Sequence, residues 1–304
     1  MKGSYLIKNM NEPLITILIN CYNSEKFIYE CLTSALKQTY KNLEIVIWDN
    51  SSTDGTSSII FKFKDPRIKY FKSKTHTSLG VARILATKHI KGKYVAILDS
   101  DDIAYPNRIL DQYNYFKTNP DIHLLGGWMN IINEKSVLKS IYNPSFKKNS
   151  LNIILLWTNP LIHSSIMYNV KYANSFGWYN SRITNFQDYA LTLKFNSRCK
   201  ISCLDKIIGA KREHNLNNMK NLKTKKIQFN EYKLLLRYAR RFIPKNKTLI
   251  YQMNKNSIQF NDLNYLIFIF NQEKNINNLI KLLKFIFKNF FSIFYFGLIR
   301  KFII

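Results

Sequence analysis

Short apolar runs alternate with helical patterns along the first part of the chain. Leu14–Ile19 is an apolar run of strand length, and apolar residues at helical spacing follow it over residues 28–36. We expect Ser24 to cap this helix and Gly80 to open a later one. Strands that alternate with helices of this length predict βαβ units, and therefore an α/β fold with a mostly parallel sheet flanked by helices. The predicted strands are Leu14–Ile19, Leu43–Trp48, Arg67–Phe71 and Tyr94–Leu98.

The pattern continues less regularly after Pro106. The predicted elements are a helix to about residue 119, strands over Ile122–Met129, Leu161–Tyr168 and Ile201–Leu204, and a helix over Phe186–Ser197. Residues 130–159 show no clear period, so we expect loops and a short helix there.

Three carboxylates follow the apolar run that ends at Leu98. Because a solvated strand would alternate polar and apolar residues, this run predicts a strand buried on both faces. Asp99, Asp101 and Asp102 then lie at the carboxyl edge of the sheet, where open α/β sheets bind ligands. Acids so close together repel unless a cation joins them, which favours Mg²⁺ or Mn²⁺. The alternative is an acidic turn that caps the helix after Pro106.

The last part of the chain has a different character. Helical patterns rich in basic and apolar residues replace the strand periods from about residue 221, and no acidic residue follows Glu273. Lys281, Lys284 and Lys288 share one helical face, while the uncharged Asn289–Ile299 is too short to span a bilayer core, which needs about 20 residues. A basic amphipathic helix of this kind is typical of an anionic membrane surface. A helical bundle packed on the preceding domain is the alternative.

Charge and composition restrict the class of protein. A hydrophobic content of 46% excludes a disordered chain, and a formal net charge of +27 indicates a partner with dense negative charge. Nucleic acid, anionic lipid and phosphorylated small molecules all satisfy that requirement. Residues 1–13 carry no apolar signal core, so we expect the protein in the cytoplasm, peripheral on the inner face of the membrane.

Two motifs resemble those of family 2 glycosyltransferases, the inverting enzymes of GT-A fold that use nucleotide sugars. The first is ITILINCYNSEKFIYECLTSALKQTYKNLEIVIWDNSSTDGT, and the second is KGKYVAILDSDD. The resemblance covers residues 13–215. It implies an N-terminal tail over residues 1–12, a GT-A domain over 13–215, and a basic, aromatic-rich helical region over 216–304.

The resemblance implies a nucleotide-sugar site at the ends of the first strands. Asn50 departs from the family, which usually has two aspartates at this point, but an amide oxygen still accepts the N3–H of uracil. Asn20 and Tyr22 could hold the base, and Asp99 is expected at the ribose. The implied nucleotide-sugar-binding residues are Asn20, Tyr22, Asp49, Asn50, Arg83, Asp99 and Ser100.

The same resemblance places the catalytic base and the metal. Displacing a nucleoside diphosphate with inversion requires a metal that stabilises the leaving group and one carboxylate that takes the acceptor proton. Asp188 matches the aspartate of the family's Glu-Asp motif, with Gln187 in place of the glutamate. Alternatively, Asp188 has only a structural role, as a carboxylate in the first turn of a helix that the helix dipole favours. The implied ligands of Mn²⁺ or Mg²⁺ are Asp101, Asp102 and His214.

Two histidines could have either a functional or a purely structural role. A lone histidine in a basic stretch, such as His214, is often only solvated. His163 begins a His-Ser-Ser-Ile-Met stretch that also occurs in the family and is expected to line the acceptor or diphosphate side; it could equally be a core histidine, and we do not predict that it is catalytic.

The expected reaction is transfer of a hexose or N-acetylhexosamine from a UDP-sugar to a hydroxyl of a glycan or lipid-linked acceptor in cell-envelope polysaccharide or lipopolysaccharide synthesis. One alternative is a nucleotidyltransferase of Rossmann-like fold, which would release pyrophosphate. Another is a basic nucleic-acid-binding protein, although no recognition-module motif is present and we expect no nucleic acid partner.

Overall fold

The computed structural model describes residues 12–144, 151, 155, 159–183 and 186–214. The chain divides into two compact units, residues 1–145 with 159–235 and residues 146–158 with 236–304. Every element named below belongs to the first unit. In the second unit the described residues are Leu151 and Leu155, whose backbones share a hydrogen bond of 2.8 Å. The predicted C-terminal helical region over residues 216–304 lies outside the described residues.

The described chain forms strands and helices close to the predicted positions over its first half. The helices are α1 (Ile28–Leu36), α2 (Thr56–Ile60), α3 (Leu79–Thr87), α4 (Arg108–Thr118), α5 (Val170–Phe176) and α6 (Gln187–Arg198). The strands are β1 (Ile15–Cys21), β2 (Leu43–Asp49), β3 (Ile68–Lys72), β4 (Tyr94–Ile97), β5 (Ile103–Ala104), β6 (Ile122–Ile132), β7 (Leu138–Tyr142), β8 (Met167–Asn169) and β9 (Lys200–Arg212).

The sheet is mixed rather than mostly parallel. Its strand order is β3-β2-β1-β4-β8-β6-β9-β5, with β7 paired to β6. Strands β3, β2, β1 and β4 run parallel to one another, as the βαβ pattern predicts. Beyond β4 the prediction is wrong, because β8 runs antiparallel to both β4 and β6, and only β6 and β9 pair in parallel in this described half.

The predicted strand over Leu161–Tyr168 is the cause of this error. Its first half is a 3₁₀ turn at His163–Ser165, and only β8 remains extended. The serine side chains bond to backbone instead of standing on a pleated face: Ser165 Oγ donates to Ile162 O, and Ser164 Oγ accepts the N–H of Asp99. The patternless region before it contains β7, and β9 is longer than the four predicted residues.

Ser24 does not cap α1, which begins at Ile28 after Phe27. The carbonyl of Ser24 accepts the N–H groups of Phe27 and Ile28, so a turn precedes the helix. Its hydroxyl lies 2.8 Å from the hydroxyl of Ser100 instead. The serine therefore ties the loop after β1 to the loop after β4.

The Lys91-Gly92 lead-in to β4 has a packing reason. Glu44 is buried and accepts hydrogen bonds from the backbone of Lys91 and from Thr16 Oγ1. A Cβ atom at Gly92 would lie 2.6 Å from the backbone nitrogen of Thr16, so only glycine fits at this approach. These contacts fix the start of β4 against β1 and thereby set where β4 ends.

Strands β1, β2 and β4 end at one edge of the sheet. The register pairs Cys21 with Asp49 and Leu18 with Ile97, and Asn50 donates its backbone N–H to the carbonyl of Cys21. Their interiors form the buried core with the apolar faces of α1 and α4. The polar residues that follow these strands are therefore collected above the core. Among the described residues, no helix has both the length and the apolar character to cross a bilayer.

Candidate active site

Asp99 lies at the centre of a set of polar contacts. Its Oδ1 is 3.0 Å from His163 Nδ1 and 3.5 Å from Arg83 Nη2. Its backbone N–H donates to Ser164 Oγ over 3.0 Å. The desolvating surroundings raise the pKa of this carboxyl, but the charges of His163 and Arg83 and the hydrogen bond from His163 outweigh that effect and hold its pKa below the usual value. Asp99 is therefore ionised at neutral pH.

The two following acids have the opposite electrostatic character. Burial, and then the charge of Asp99, raise the pKa of Asp101, although its contact with His214 opposes the rise. Burial, and then the charges of Asp101 and Asp99, raise the pKa of Asp102 well above the usual value. The carboxylates of the loop after β4 therefore repel one another. An added cation would favour the ionised form of all three carboxyl groups.

Asp101 meets His214 across a gap of 113 positions in sequence. Asp101 Oδ2 and His214 Nε2 are 2.8 Å apart, because β9 ends beside the loop that follows β4. Arg212 holds the two segments together: its backbone N–H donates to Asp102 Oδ1 over 2.8 Å, and its Nε donates to the carbonyl of Asp101 over 2.9 Å.

The Arg212 guanidinium also fastens this junction to the rest of the domain. Although it is 1% exposed, it donates to the carbonyls of Asn133 and Glu134 in the β6–β7 turn and pairs with Glu30 of α1. The pair of Asp101 and His214 therefore rests on a rigid support built from α1, β9 and the hairpin.

Asp101 and His214 carry donor atoms of the kinds that bind a divalent ion, a carboxylate oxygen and an imidazole nitrogen, and in this structure they are hydrogen-bonded to one another. Within the described ranges no cluster of three or more His, Cys, Asp or Glu side chains could hold a metal. Mg²⁺ sites, however, often use only one or two protein ligands and take the rest from water and substrate phosphates. Neighbouring ligands of an octahedral ion with bonds of about 2.1 Å lie about 3.0 Å apart, close to the observed 2.8 Å. The side chain of Asp101 remains 30% exposed, so an ion can reach it.

Residues at the end of β1 face the same edge of the sheet. Asn20 Oδ1 is buried without a hydrogen-bond partner among the described residues. Tyr22 is 45% exposed, and its ring centroid lies 4.0 Å from that of His76. A buried acceptor without a partner and, two residues further along the chain, an exposed aromatic ring are features suited to a planar, hydrogen-bonding ligand such as a nucleobase.

Asp49 and Asn50 are already engaged by protein groups. Asp49 is fully buried and accepts from Tyr70 Oη at 2.6 Å and from the N–H of Ser52 at 2.7 Å. Asn50 Oδ1 accepts from both Oγ1 and N–H of Thr77, while its Nδ2 donates to the carbonyl of Thr77. Asn50 therefore shapes the loop before α3, whereas Asp49 joins β3 to the loop after β2. The contact of either residue with a uracil base stays a prediction.

Asp188 lies in the first turn of α6 and accepts a hydrogen bond of 3.1 Å from Asn159 Nδ2. Burial raises the pKa of Tyr179 to about 12; Arg83 opposes this rise, and Asp99 and Asp188 both add to it. The charges of both carboxylates therefore act on the same buried phenol. The role of Asp188 as the catalytic base stays a prediction.

Gln187, which replaces the glutamate of the family motif, has a packing role. Its side chain is fully buried, and its Nε2 donates to the carbonyl of Asn180 over 3.2 Å. A Cβ atom at Gly80 would lie 2.1 Å from that nitrogen. The glycine predicted to open α3 therefore provides room for Gln187, and α3 itself begins one residue earlier, at Leu79.

Sequence reasoning missed several residues that organise the site. Arg108 is buried and donates to the carbonyls of Ile97 and Ile166. These bonds hold the end of β4 next to the start of β8. A charged residue in the first turn of a helix gave no signal of this role. The other missed residues are Arg212, Ser164, Tyr179, Glu30 and Asn159.

Comparison with known proteins identifies the family. The family model described as glycosyl transferase family 2 matches residues 16–186, more than half of the chain. The chain belongs to glycosyltransferase family 2. This membership favours sugar transfer over nucleotidyl transfer.

Two curated proteins are similar in sequence to part of this chain. An uncharacterized glycosyltransferase of Methanocaldococcus jannaschii is 31% identical over 189 residues, covering 60% of this chain and 65% of the relative. Escherichia coli WfaP, named as a UDP-Glc:alpha-D-GlcNAc-diphosphoundecaprenol beta-1,3-glucosyltransferase, is 46% identical over 105 residues, covering 34% of this chain and 42% of the relative. The matches thus span less than two thirds of either relative.

The fold of this glycosyltransferase is similar to that of a solved structure, S. aureus TarS 1–349 in complex with UDP-GlcNAc. The TM-score is 0.64 at 19% identity, and the match covers 90% of this chain and 79% of that one. The likeness confirms the predicted GT-A, Rossmann-like α/β fold.

Proposed function

We propose that this glycosyltransferase is a metal-dependent inverting enzyme that moves a hexose or N-acetylhexosamine from a UDP-sugar to a hydroxyl of a glycan or lipid-linked acceptor. The observation that carries the proposal is the pair of Asp101 and His214, 2.8 Å apart, beside the ionised Asp99. The named reaction of WfaP supports a UDP-sugar donor and a lipid-linked acceptor. UDP-GlcNAc in the TarS structure also supports a UDP-sugar donor.

The nucleotide would bind across the carboxyl ends of β1, β2 and β4. Tyr22 would contact the base, and Asn20 would accept a hydrogen bond with its orphaned oxygen. Asp99 would accept hydrogen bonds from the ribose, because its side chain remains 35% exposed while its partners are buried. Ser100, held by Ser24, would fix the loop around the nucleotide.

Mn²⁺ or Mg²⁺ would be held by Asp101 and His214, and when bound it would supply Lewis-acid stabilisation of the charge on the diphosphate. Asp102 as a further ligand stays a prediction, since its Oδ1 accepts the N–H of Arg212 in this structure. Arg212 would keep the Asp101 loop and the end of β9 at coordinating distance from one another.

Asp188 would act as the general base. Its carboxylate, held by Asn159, would take the proton of the acceptor hydroxyl while the oxygen attacks the anomeric carbon. One base and one displacement invert the anomeric centre, by the same geometric argument that separates inverting from retaining glycosidases.

The acceptor and location belong to the same proposal. A lipid-linked acceptor in cell-envelope polysaccharide or lipopolysaccharide synthesis would bring the enzyme to the inner face of the membrane. The basic excess, +27 over the whole chain, supports peripheral binding to anionic lipid. The segment proposed to make that contact, residues 216–304, lies outside the described residues.

A donor screen tests the proposed function. We expect UDP release from a UDP-hexose or UDP-N-acetylhexosamine, with a synthetic GlcNAc-diphospho-lipid as acceptor and Mn²⁺ present, to exceed the rate in EDTA by about 100-fold. GDP-mannose serves as the mismatched donor. Release of pyrophosphate, or equal rates in Mn²⁺ and EDTA, would contradict the proposal.

A further inference from the structure

A chain of buried polar side chains lies behind Asp99. His163 contacts Asp99 Oδ1 through Nδ1 at 3.0 Å and Tyr179 Oη through Nε2 at 3.1 Å. Tyr179 Oη in turn lies 3.4 Å from Tyr168 Oη. His163 and both tyrosines are almost completely buried, whereas the Asp99 side chain remains 35% exposed. These side chains therefore connect the core to a carboxylate that is partly exposed to solvent.

The two ring nitrogens of His163 are held from opposite sides. Nδ1 lies 3.0 Å from Asp99 Oδ1 and 3.2 Å from Arg83 Nη2, and Nε2 lies 3.1 Å from Tyr179 Oη. Arg83 Nη2 is also 3.5 Å from Asp99 Oδ1, so the guanidinium contacts both members of the pair. These contacts fix the plane of the imidazole ring and, through it, the position of Asp99 Oδ1.

Both the backbone and the side chain of Asp99 depend on the same turn. Ser164, next to His163, accepts the N–H of Asp99 over 3.0 Å. The terminal torsion of a carboxylate is broad and roughly two-fold, so a free aspartate samples several orientations. Fixing Oδ1 with His163 selects one orientation and leaves the other oxygen for a ligand.

We propose that His163 is a positioning residue that fixes the Asp99 carboxylate for the donor ribose, and so determines how strongly the enzyme discriminates a ribonucleoside diphosphate from its deoxy analogue. The inference rests on the proposed function, in which Asp99 accepts hydrogen bonds from the ribose. It adds that discrimination comes from the rigid orientation of Asp99, which the core imposes through His163 and Tyr179.

The test compares the binding of UDP, 2′-deoxy-UDP and 3′-deoxy-UDP by calorimetry in the presence of Mn²⁺. We expect the wild-type protein to bind at least one deoxy analogue about 10-fold more weakly than UDP, since a hydrogen bond to a charged group is lost. In His163→Leu we expect the ratio of the two dissociation constants, deoxy analogue over UDP, to fall to about 2 or less. The leucine cannot make the contacts of the imidazole ring with Asp99 and Tyr179. His163→Asn places an amide N–H where Nδ1 lies, and it is expected to keep most of the ratio.

Two further variants keep the test decisive. His123→Leu changes a histidine that stacks on Tyr172 at 3.7 Å, away from the site, and is expected to keep the wild-type ratio. Tyr179→Phe removes only the hydroxyl that holds Nε2. The ratio of dissociation constants for this variant should lie between those of His163→Leu and the wild type. If His163→Leu does not fold, this variant tests the role of His163.

The outcomes separate this inference from the proposed function. A wild-type protein that binds all three nucleotides equally would contradict the role of Asp99 at the ribose. Wild-type discrimination that persists in His163→Leu, or in Tyr179→Phe if His163→Leu does not fold, would overturn the role of His163 alone.

Discussion

Asp188→Asn is expected to lower sugar transfer by about 1,000-fold while leaving the affinity for the UDP-sugar unchanged, because general base catalysis contributes roughly 10²–10⁴ in rate. The substitution keeps the shape of the side chain, and the amide oxygen can still accept from Asn159 Nδ2. The loss would therefore arise from the missing base. Single-turnover transfer and donor binding by calorimetry measure the two quantities separately.

A matched control exists on α4. Asp111, like Asp188, is a carboxylate in the first turn of a helix, and it pairs with Lys206 at the surface. Asp111→Asn is expected to keep full transfer, since surface ion pairs contribute little. If Asp188→Asn kept near-wild-type turnover, its carboxylate would be only a first-turn residue favoured by the helix dipole, and another base would be required.

Asp101→Asn is expected to weaken the Mn²⁺-dependent affinity for UDP by about 100-fold or more, because a neutral amide removes a charged ligand from a site with few protein ligands. Affinity measured in EDTA should change little. His214→Ala is expected to act in the same direction, since His214 Nε2 lies 2.8 Å from Asp101 Oδ2 and is the second proposed ligand. Calorimetric titration of UDP with and without Mn²⁺ gives both quantities.

The same Asp111→Asn variant controls for loss of a carboxylate elsewhere. An Asp101→Asn protein with an unchanged metal-dependent gain in UDP affinity would contradict the ligand role. If only His214→Ala left that gain unchanged, His214 would be a partner of Asp101 rather than a ligand.

The first half of the fold was predictable because local pattern and topology agree there. Mainly apolar strands such as β1 and β2, with an amphipathic helix between them, permit few arrangements other than parallel βαβ units. The second half was not, because Leu161–Tyr168 has the composition of a strand while its serines bond to backbone, as Ser164 does with Asp99. The hairpin of β6 and β7 has an exposed second strand, which leaves no alternating pattern to detect.

The sequence offered a set of candidate site residues but not the contacts between them. The family motifs indicated Asp99, Asp101 and His214, and the strand order explains why they meet. No sequence pattern could show that His163 contacts Asp99, or that Arg212 joins the loop after β4 to the end of β9, because these contacts link residues far apart in sequence. Asn50 shows the reverse case: its position indicated a base contact, while the structure engages its amide with Thr77.

Anomalous diffraction from crystals grown with Mn²⁺ and a UDP-sugar tests the central claim most directly. We predict one manganese peak within coordinating distance of Asp101 and His214, in contact with the diphosphate, and the carboxylate of Asp188 on the opposite side of the anomeric carbon. A peak remote from Asp101, or a donor sugar that Asp188 cannot approach from that side, would contradict it.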